Sequence, residues 1–528
     1  MPVRVARAAL LAAASLALLA PAATARTHSR HHSRTRHAVA HGVTPLAAEA
    51  PDKAATPSAA GDACTTPAPE HVYAFYHCYT PQQISDAYNV TSLHDAGTLG
   101  QHQTIVLVDS YGSPTAANDL QVFHDTFYPD LPKPNFDQVC SGRCHDYNNV
   151  ANGNGQSGPN AAEGWAGEAN LDVEWAYAMA PEAHIVLLAV PPAETEGVQG
   201  FPNLFKAIQA AVDRYPSGTV FSQSFGVTEQ TFGGAAATQT AKFDQVYKNA
   251  IAKGDTVLAS SGDDGSSGVS KQQKDTRYYG FPNVGWPASS PYVTAVGGTQ
   301  LQYGWTWDPT SDTPFKADGD FNAPYWTWTD GGNSEPVWNE SWLPAATGGG
   351  PSTIYTRPAY QDPVASSIVD TNGSQVDARG VPDLAWNAAV NGGVLVYTSF
   401  FPNRDRVGWH VYGGTSAASP QVAGLVALAN QQQAEATPPE PPLGALNPLI
   451  YKAGGGAYRD VVPQTFGTAV SGQLVNNQLF SYNGDGVAVT PGPVPGLPVT
   501  SGWDETTGYG SPDGANWVAA IRAARNAP

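Results

Sequence analysis

Continuous apolar runs alternate along this chain with segments whose apolar residues recur at helical spacing. Thr104-Ile105-Val106-Leu107-Val108-Asp109 and His184-Ile185-Val186-Leu187-Leu188-Ala189-Val190 are uninterrupted, as strands buried on both faces require. Shorter runs at Thr219-Val220-Phe221-Ser222, Thr256-Val257-Leu258-Ala259-Ser260 and Gly393-Val394-Leu395-Val396-Tyr397 repeat the pattern. Between them the spacing predicts helices from about Trp165 to Met179, stopped by Pro181, and over 204–214 and 240–252. Strands alternating with helices predict an α/β fold, a parallel sheet covered by helices on both faces. Residues 300–345 break the rhythm, with Trp305, Trp307, Trp326, Trp328, Trp338 and Trp342 among Gly, Asp and Pro, and read as a surface insertion with short strands. The tail from Pro438 is loop-rich and ends in a helix near 515–525.

Tyr412-Gly413-Gly414-Thr415-Ser416-Ala417-Ala418-Ser419-Pro420 runs into the apolar stretch Val422 to Ala429. Two glycines permit a tight turn, and the residues after them form helix well. Ser416 then falls in the first turn of a buried helix, where outward N–H groups favour a developing negative charge. It is either a helix-capping serine or a nucleophile, and only a nucleophile needs a base and an oxyanion donor.

No histidine outside the first 60 residues lies in a Gly-rich helix start. Carboxylates are better placed. Glu168 and Asp172 share one face of the helix around Trp165–Met179, about 5–6 Å apart at Cβ. Such a pair is either a solvated acidic face or two groups sharing a proton. Asp263 leaves a buried strand in Ser260-Ser261-Gly262-Asp263-Asp264-Gly265, the usual position of active residues in open α/β sheets, and equally a turn former's place.

Composition narrows the setting. Only 13% of the 528 residues are charged, and acids outnumber bases 45 to 26, a net charge of −19. That balance argues against nucleic acid or an anionic membrane as partner. Arg4 and Arg7 before the apolar run Ala8–Ala20, then Ala23-Thr24-Ala25, read as a secretory signal over 1–25. Residues 26–75 read as a largely disordered leader, Arg/His-rich and then Ala/Pro-rich. Export suits disulfides, and proximity favours Cys64–Cys78 and Cys140–Cys144; the spacings do not fit zinc.

Gly414-Thr415-Ser416-Ala417-Ala418-Ser419-Pro420 resembles the nucleophile motif of subtilisin-fold proteases. Glu168-x-x-x-Asp172 with Ser261-Gly262-Asp263 resembles the sedolisin family of serine-carboxyl peptidases. Ser222-Gln223-Ser224-Phe225-Gly226, Pro287 to Thr299, Arg379-Gly380-Val381-Pro382-Asp383 and Gly502-Trp503-Asp504 match its pattern in order. The resemblance implies a subtilisin-like sheet over 76–528, within which the Trp-rich insertion falls at about 300–345, and a calcium-binding region at about 455–515. It implies Ser416 as nucleophile, Glu168 as base, Asp172 as its orienter and a protonated Asp263 facing the oxyanion. One structural calcium would be held by Asp460 and Asp504 side chains and by the carbonyls of Val461, Thr500 and Gly502, although Thr500 stands where the family usually has Gly. The expected protein is a secreted, monomeric, acid-acting endopeptidase on protein and peptide substrates. Two other readings stay open: a histidine-based subtilisin-type protease using Asp109, and a non-catalytic secreted module binding peptide or glycan.

Overall fold

The uninterrupted apolar runs form the centre of a parallel sheet. The structure is a computed structural model, described here for residues 44–45, 48–49, 78–142, 159–191, 195, 198–271, 277–307, 326–328, 334–341, 343–400, 407–465, 473–482 and 489–527. The expected signal segment (1–25), all of the leader (26–75) but four residues, Cys64, Cys144 and most of the Trp-rich insertion lie outside the described residues. The described residues belong to one unit, Thr35–Pro528.

In chain order the sheet strands are β1 (Thr104–Ser110), β2 (Asn135–Cys140), β3 (His184–Val190), β4 (Val220–Gln223), β5 (Thr256–Ser260), β6 (Thr294–Thr299) and β7 (Leu384–Asn387). They lie in the order β7-β6-β5-β4-β1-β3-β2, all parallel. Helices α1 (Ala116–Phe127), α2 (Pro159–Met179), α3 (Phe201–Arg214), α4 (Ala236–Lys253), α5 (Thr415–Ala434) and α6 (Gly514–Asn526) complete the frame. Alternation along β1 and β3 explains why their sequences never turn polar. Ile105, Leu107, Ile185 and Leu187 pack with residues of α2 and α5, while Val106, Val108, Val186 and Leu188 pack with residues of α3 and α4.

Several boundaries differ from the sequence reading. Helix α2 starts at Pro159 rather than near Trp165. The strand around Gly393–Thr398 is not part of the parallel sheet; it pairs antiparallel with Gly408–Gly413 in a separate four-stranded sheet. Helix α1, edge strand β2, and β6 and β7 escaped the pattern because they are short or carry polar and glycine residues. Among the described residues the insertion forms the antiparallel pair Trp305–Trp307 with Trp326–Trp328 and supplies Asn339–Glu340, which pairs antiparallel with Ala345–Ala346. Cys78 and Cys140 are disulfide-bonded, and no described cysteine is free; the expected partners lie outside the described residues.

Helices α2 and α5 touch closely because Gly424 has no side chain: a Cβ there would stand 2.4 Å from Met179 Cβ. The two helices that carry the candidate acids and the candidate nucleophile are thereby packed as one unit.

Candidate active site

Ser416 occupies the first turn of α5, as its sequence context predicts. Gly414, at φ +88°, adopts a backbone conformation that side chains disfavour, and a Cβ on Gly413 would lie 2.6 Å from the carbonyls of Ala388 and Ala389. The turn that presents Ser416 therefore depends on both glycines.

Glu168, Asp172 and Ser416 are fully buried, and Asp263 is 6% exposed. The solvated acidic face is thus excluded. Ser224, directly after β4, ties the groups together: its Oγ donates to Asp172 Oδ1 at 2.7 Å, and its carbonyl accepts from Ser416 Oγ at 3.3 Å. That bond to Ser224 is the one Ser416 Oγ makes among the described residues; neither Glu168 nor a histidine receives it. Asp263, beyond the C-terminal end of β5, accepts at Oδ1 from Thr415 N (2.9 Å) and Thr415 Oγ1 (2.8 Å). Gly262 N in turn donates to Thr415 Oγ1, so the Asp263 loop is fastened to the residue preceding Ser416.

The electrostatics are those of acids crowded out of water. Burial pushes Asp172 well above the usual carboxyl range, and the charges of Asp109 and Glu168 push it further. Asp109, at the end of β1, is fully buried, and neither of its carboxyl oxygens has a hydrogen-bond partner among the described residues. Burial raises it to about 8. The sequence nominates Asp109 only for a rival histidine triad; the structure puts it within electrostatic reach of Asp172. Ser224 went unassigned, and its signal was the position just past a buried strand.

These shifts predict how stability depends on pH. Between its ordinary value of 3.8 and about 8, Asp109 is ionised in the unfolded chain and protonated in the folded one. Folding then takes up a proton, so stability is complete below about pH 4 and falls as pH rises toward 8. Asp244 and Asp255, each raised by burial to about 6, act with the same sign over a narrower window. Calorimetry is expected to give a Tm at pH 4 at least roughly 5 °C above that at pH 8, with the difference smaller in Asp109→Asn.

The five candidate calcium positions lie on two segments, Asp460–Val461 and the 500–504 loop, which Asp460 joins. Asp460 Oδ2 accepts from Gly502 N (2.9 Å) and Ser501 Oγ (3.1 Å). Asp504 Oδ2 accepts from Thr500 N at 2.8 Å, while its Oδ1 takes the N–H and hydroxyl groups of Thr506 and Thr507. Among the described residues no donor reaches the carbonyls of Val461, Thr500 or Gly502. No group of three or more His, Cys, Asp or Glu side chains gathers there or elsewhere among the described residues, so a cation would depend on those carbonyls.

Comparisons with known proteins bear on the family and the fold. A family model described as the subtilase family matches residues 150–488. Kumamolisin of Bacillus sp. (strain MN-32) is 29% identical over 84% of this chain and 63% of its own length. Tripeptidyl-peptidase 1 of Homo sapiens is 28% identical over 82% of this chain and 62% of its own. The chain thus spans a little under two thirds of the length of these curated relatives. The solved Pseudomonas sedolisin, a serine-carboxyl proteinase complexed with pseudo-iodotyrostatin, shares the fold, with a TM-score of 0.56 at 23% identity over 85% of this chain and 99% of that one. The chain belongs to the subtilase family, as a sedolisin-like member with the subtilisin-like fold.

Proposed function

We propose that this chain is a secreted serine-carboxyl endopeptidase that hydrolyses peptide bonds of proteins in acid. The observation that carries the reading is the Ser224 bridge, which brings the Ser416 hydroxyl and the Glu168–Asp172 helix to one buried point beside Asp263. Ser416 Oγ turns from the Ser224 carbonyl, gives its proton to Glu168 and attacks the substrate carbonyl carbon. Burial and the neighbouring acids disfavour the charged form of Asp172, which suits it to orient Glu168 while Glu168 serves as base. Asp263 Oδ1 accepts two hydrogen bonds from Thr415, so a proton on that carboxyl sits on Oδ2 and is donated to the oxyanion. An ionised Asp263 would repel the same oxyanion. The tetrahedral intermediate collapses as Glu168 returns its proton to the leaving amine, and water releases the acyl group by the reverse sequence.

A carboxylate base and a protonated acid both require low pH, so casein is expected to be cut fastest at about pH 3–5. Mass spectrometry of digests across pH checks this. An optimum at neutral or alkaline pH sinks the Glu168 assignment, and peptide binding without cleavage at any pH makes the protein a binding module instead.

One structural calcium belongs to the proposal. Oxygen-only ligands suit a hard cation, and three carbonyls without donors beside two carboxylates fit its donor set. When bound, it would clamp the 500–507 loop to Asp460 and take no part in the chemistry. Chelation is expected to lower Tm, by the ligand's contribution to the folded state alone. An unchanged Tm together with no calcium by metal analysis refutes the site.

A further inference from the structure

We propose that Asn477 is a positioning residue for the oxyanion step: it locks the loop that carries Asp263, so that the second carboxyl oxygen of Asp263 stays aimed at the oxyanion. The inference rests on the peptidase reading above and adds to that site a residue from the C-terminal region.

The Asp263 loop needs a restraint from outside. Asp263 and Asp264 stand between Gly262 at φ +119° and Gly265 at φ +66°, conformations that glycine reaches freely and that lend the loop no stiffness of its own. Thr415 holds one side, at Asp263 Oδ1. The other side is held by a segment laid along the loop, with Asp264 and Ala346 paired in parallel. Ala346 N donates to the Asp263 carbonyl (3.0 Å), Gly265 N to the Ala346 carbonyl (3.0 Å) and Gly348 N to the Gly262 carbonyl (2.7 Å). Ser261 Oγ adds a bond to the Gly348 carbonyl at 2.6 Å. Residues 346 and 348 thus face the loop, and alternation along the segment turns the Thr347 carbonyl the other way.

Asn477 meets both pieces. Its Nδ2 donates to that Thr347 carbonyl at 3.2 Å, and its own carbonyl accepts from Ser266 N at 3.3 Å. Gly265 makes room for this approach: a Cβ there would stand 2.2 Å from the Asn477 carbonyl oxygen. Asn477 is itself anchored, accepting at Oδ1 from Leu497 N at 2.8 Å and donating its N–H to the Leu497 carbonyl. Its side chain is fully buried, so solvent does not compete for these bonds. Asn477 therefore spans the loop and the segment beside it and fixes both to one point. A catalytic donor must be held within about 0.5 Å of its productive place. A loop with glycine at both ends of its two acids reaches that precision only through such external bonds.

The test measures kcat and KM of the full chain on an internally quenched peptide in acid. Asn477→Ala is expected to fold, by circular dichroism, and to lose about tenfold in kcat with KM changed by less than about twofold. In an Asp263→Ala background the same substitution is expected to cost less than about twofold, because a residue that acts through Asp263 has nothing left to position. Asn477→Asp keeps the acceptor for Leu497 N and, while protonated, offers an O–H to the Thr347 carbonyl. At about pH 3 it is expected to keep at least about half of the parental kcat. If Asn477→Ala costs the same tenfold with and without Asp263, or does not fold at all, Asn477 serves packing alone; the inference fails and the peptidase reading stands. If Asn477→Asp is as slow at about pH 3 as Asn477→Ala, the donor to Thr347 is not what holds the loop, and the inference fails again. If Asp263→Ala turns over like the parent while Ser416→Ala is inactive, the oxyanion role of Asp263 falls and takes the inference with it. If the parent cuts neither the peptide nor casein, the peptidase reading itself falls.

Discussion

Ser416→Ala and Glu168→Ala are each expected to fold as the parent does and to lose protein hydrolysis by about 10⁴-fold or more. Ser416 is a small residue at a helix start, and among the described residues its hydroxyl makes a single long hydrogen bond, to the Ser224 carbonyl at 3.3 Å. Losing that bond costs the fold little. Removing Glu168 takes one carboxyl from a buried cluster where its charge raises Asp172, so the fold is expected to gain stability above neutral pH while activity disappears. The double variant is expected to be no slower than either single one, because a nucleophile and its base act as one unit. Circular dichroism and thermal unfolding verify the fold, and initial rates on casein in acid verify the loss. Near-parental turnover in either single variant removes that residue from the mechanism.

Asp263 is expected to show the second large effect, with a pattern that separates its role from mere packing. Asp263→Ala loses the oxyanion donor and also strands the N–H and hydroxyl of Thr415, which both point at Oδ1. A drop of about 10²–10³-fold in kcat is expected, the usual cost of removing one oxyanion donor. Asp263→Asn keeps an acceptor for Thr415 and presents an amide N–H that needs no proton from solution. It is expected to retain more activity than Asp263→Ala and to hold that activity further toward neutral pH, since the parent loses its donor when Asp263 ionises. A pH–kcat profile reads this out. If Asp263→Asn matches Asp263→Ala at every pH, the protonated acid is not the donor.

The acid setting and the fold support one another. Buried carboxyls such as Asp109, raised to about 8, are tolerated because they are neutral where the protein is proposed to work. The same burial makes the protein weaker as pH rises, so the proposed acid activity would be matched by stability in acid.

Much of this was legible in the chain itself. Unbroken apolar runs at β1, β3 and β5 announced a sheet buried on both faces, because such strands have no side that meets water. Gly413-Gly414 before Ser416 and the i,i+4 spacing of Glu168 and Asp172 are local signals, and local geometry realises them. Tertiary structure alone decided the rest. Whether Glu168 and Asp172 faced water or each other in the dry interior depended on Gly424 letting α5 press against α2. Asp109, Ser224 and Asp263 come from separate strands, and only the order β5-β4-β1 places their ends side by side. The pairings of Thr44–Pro45 with Phe225–Gly226 and of Ala48–Glu49 with Tyr412–Gly413 could not be read locally either, because two-residue contacts across more than one hundred and fifty positions leave no periodicity in sequence. A chain encodes which stretches are apolar and which turns are tight; which carboxyls lose their water, and so change their acidity, is settled when distant elements pack.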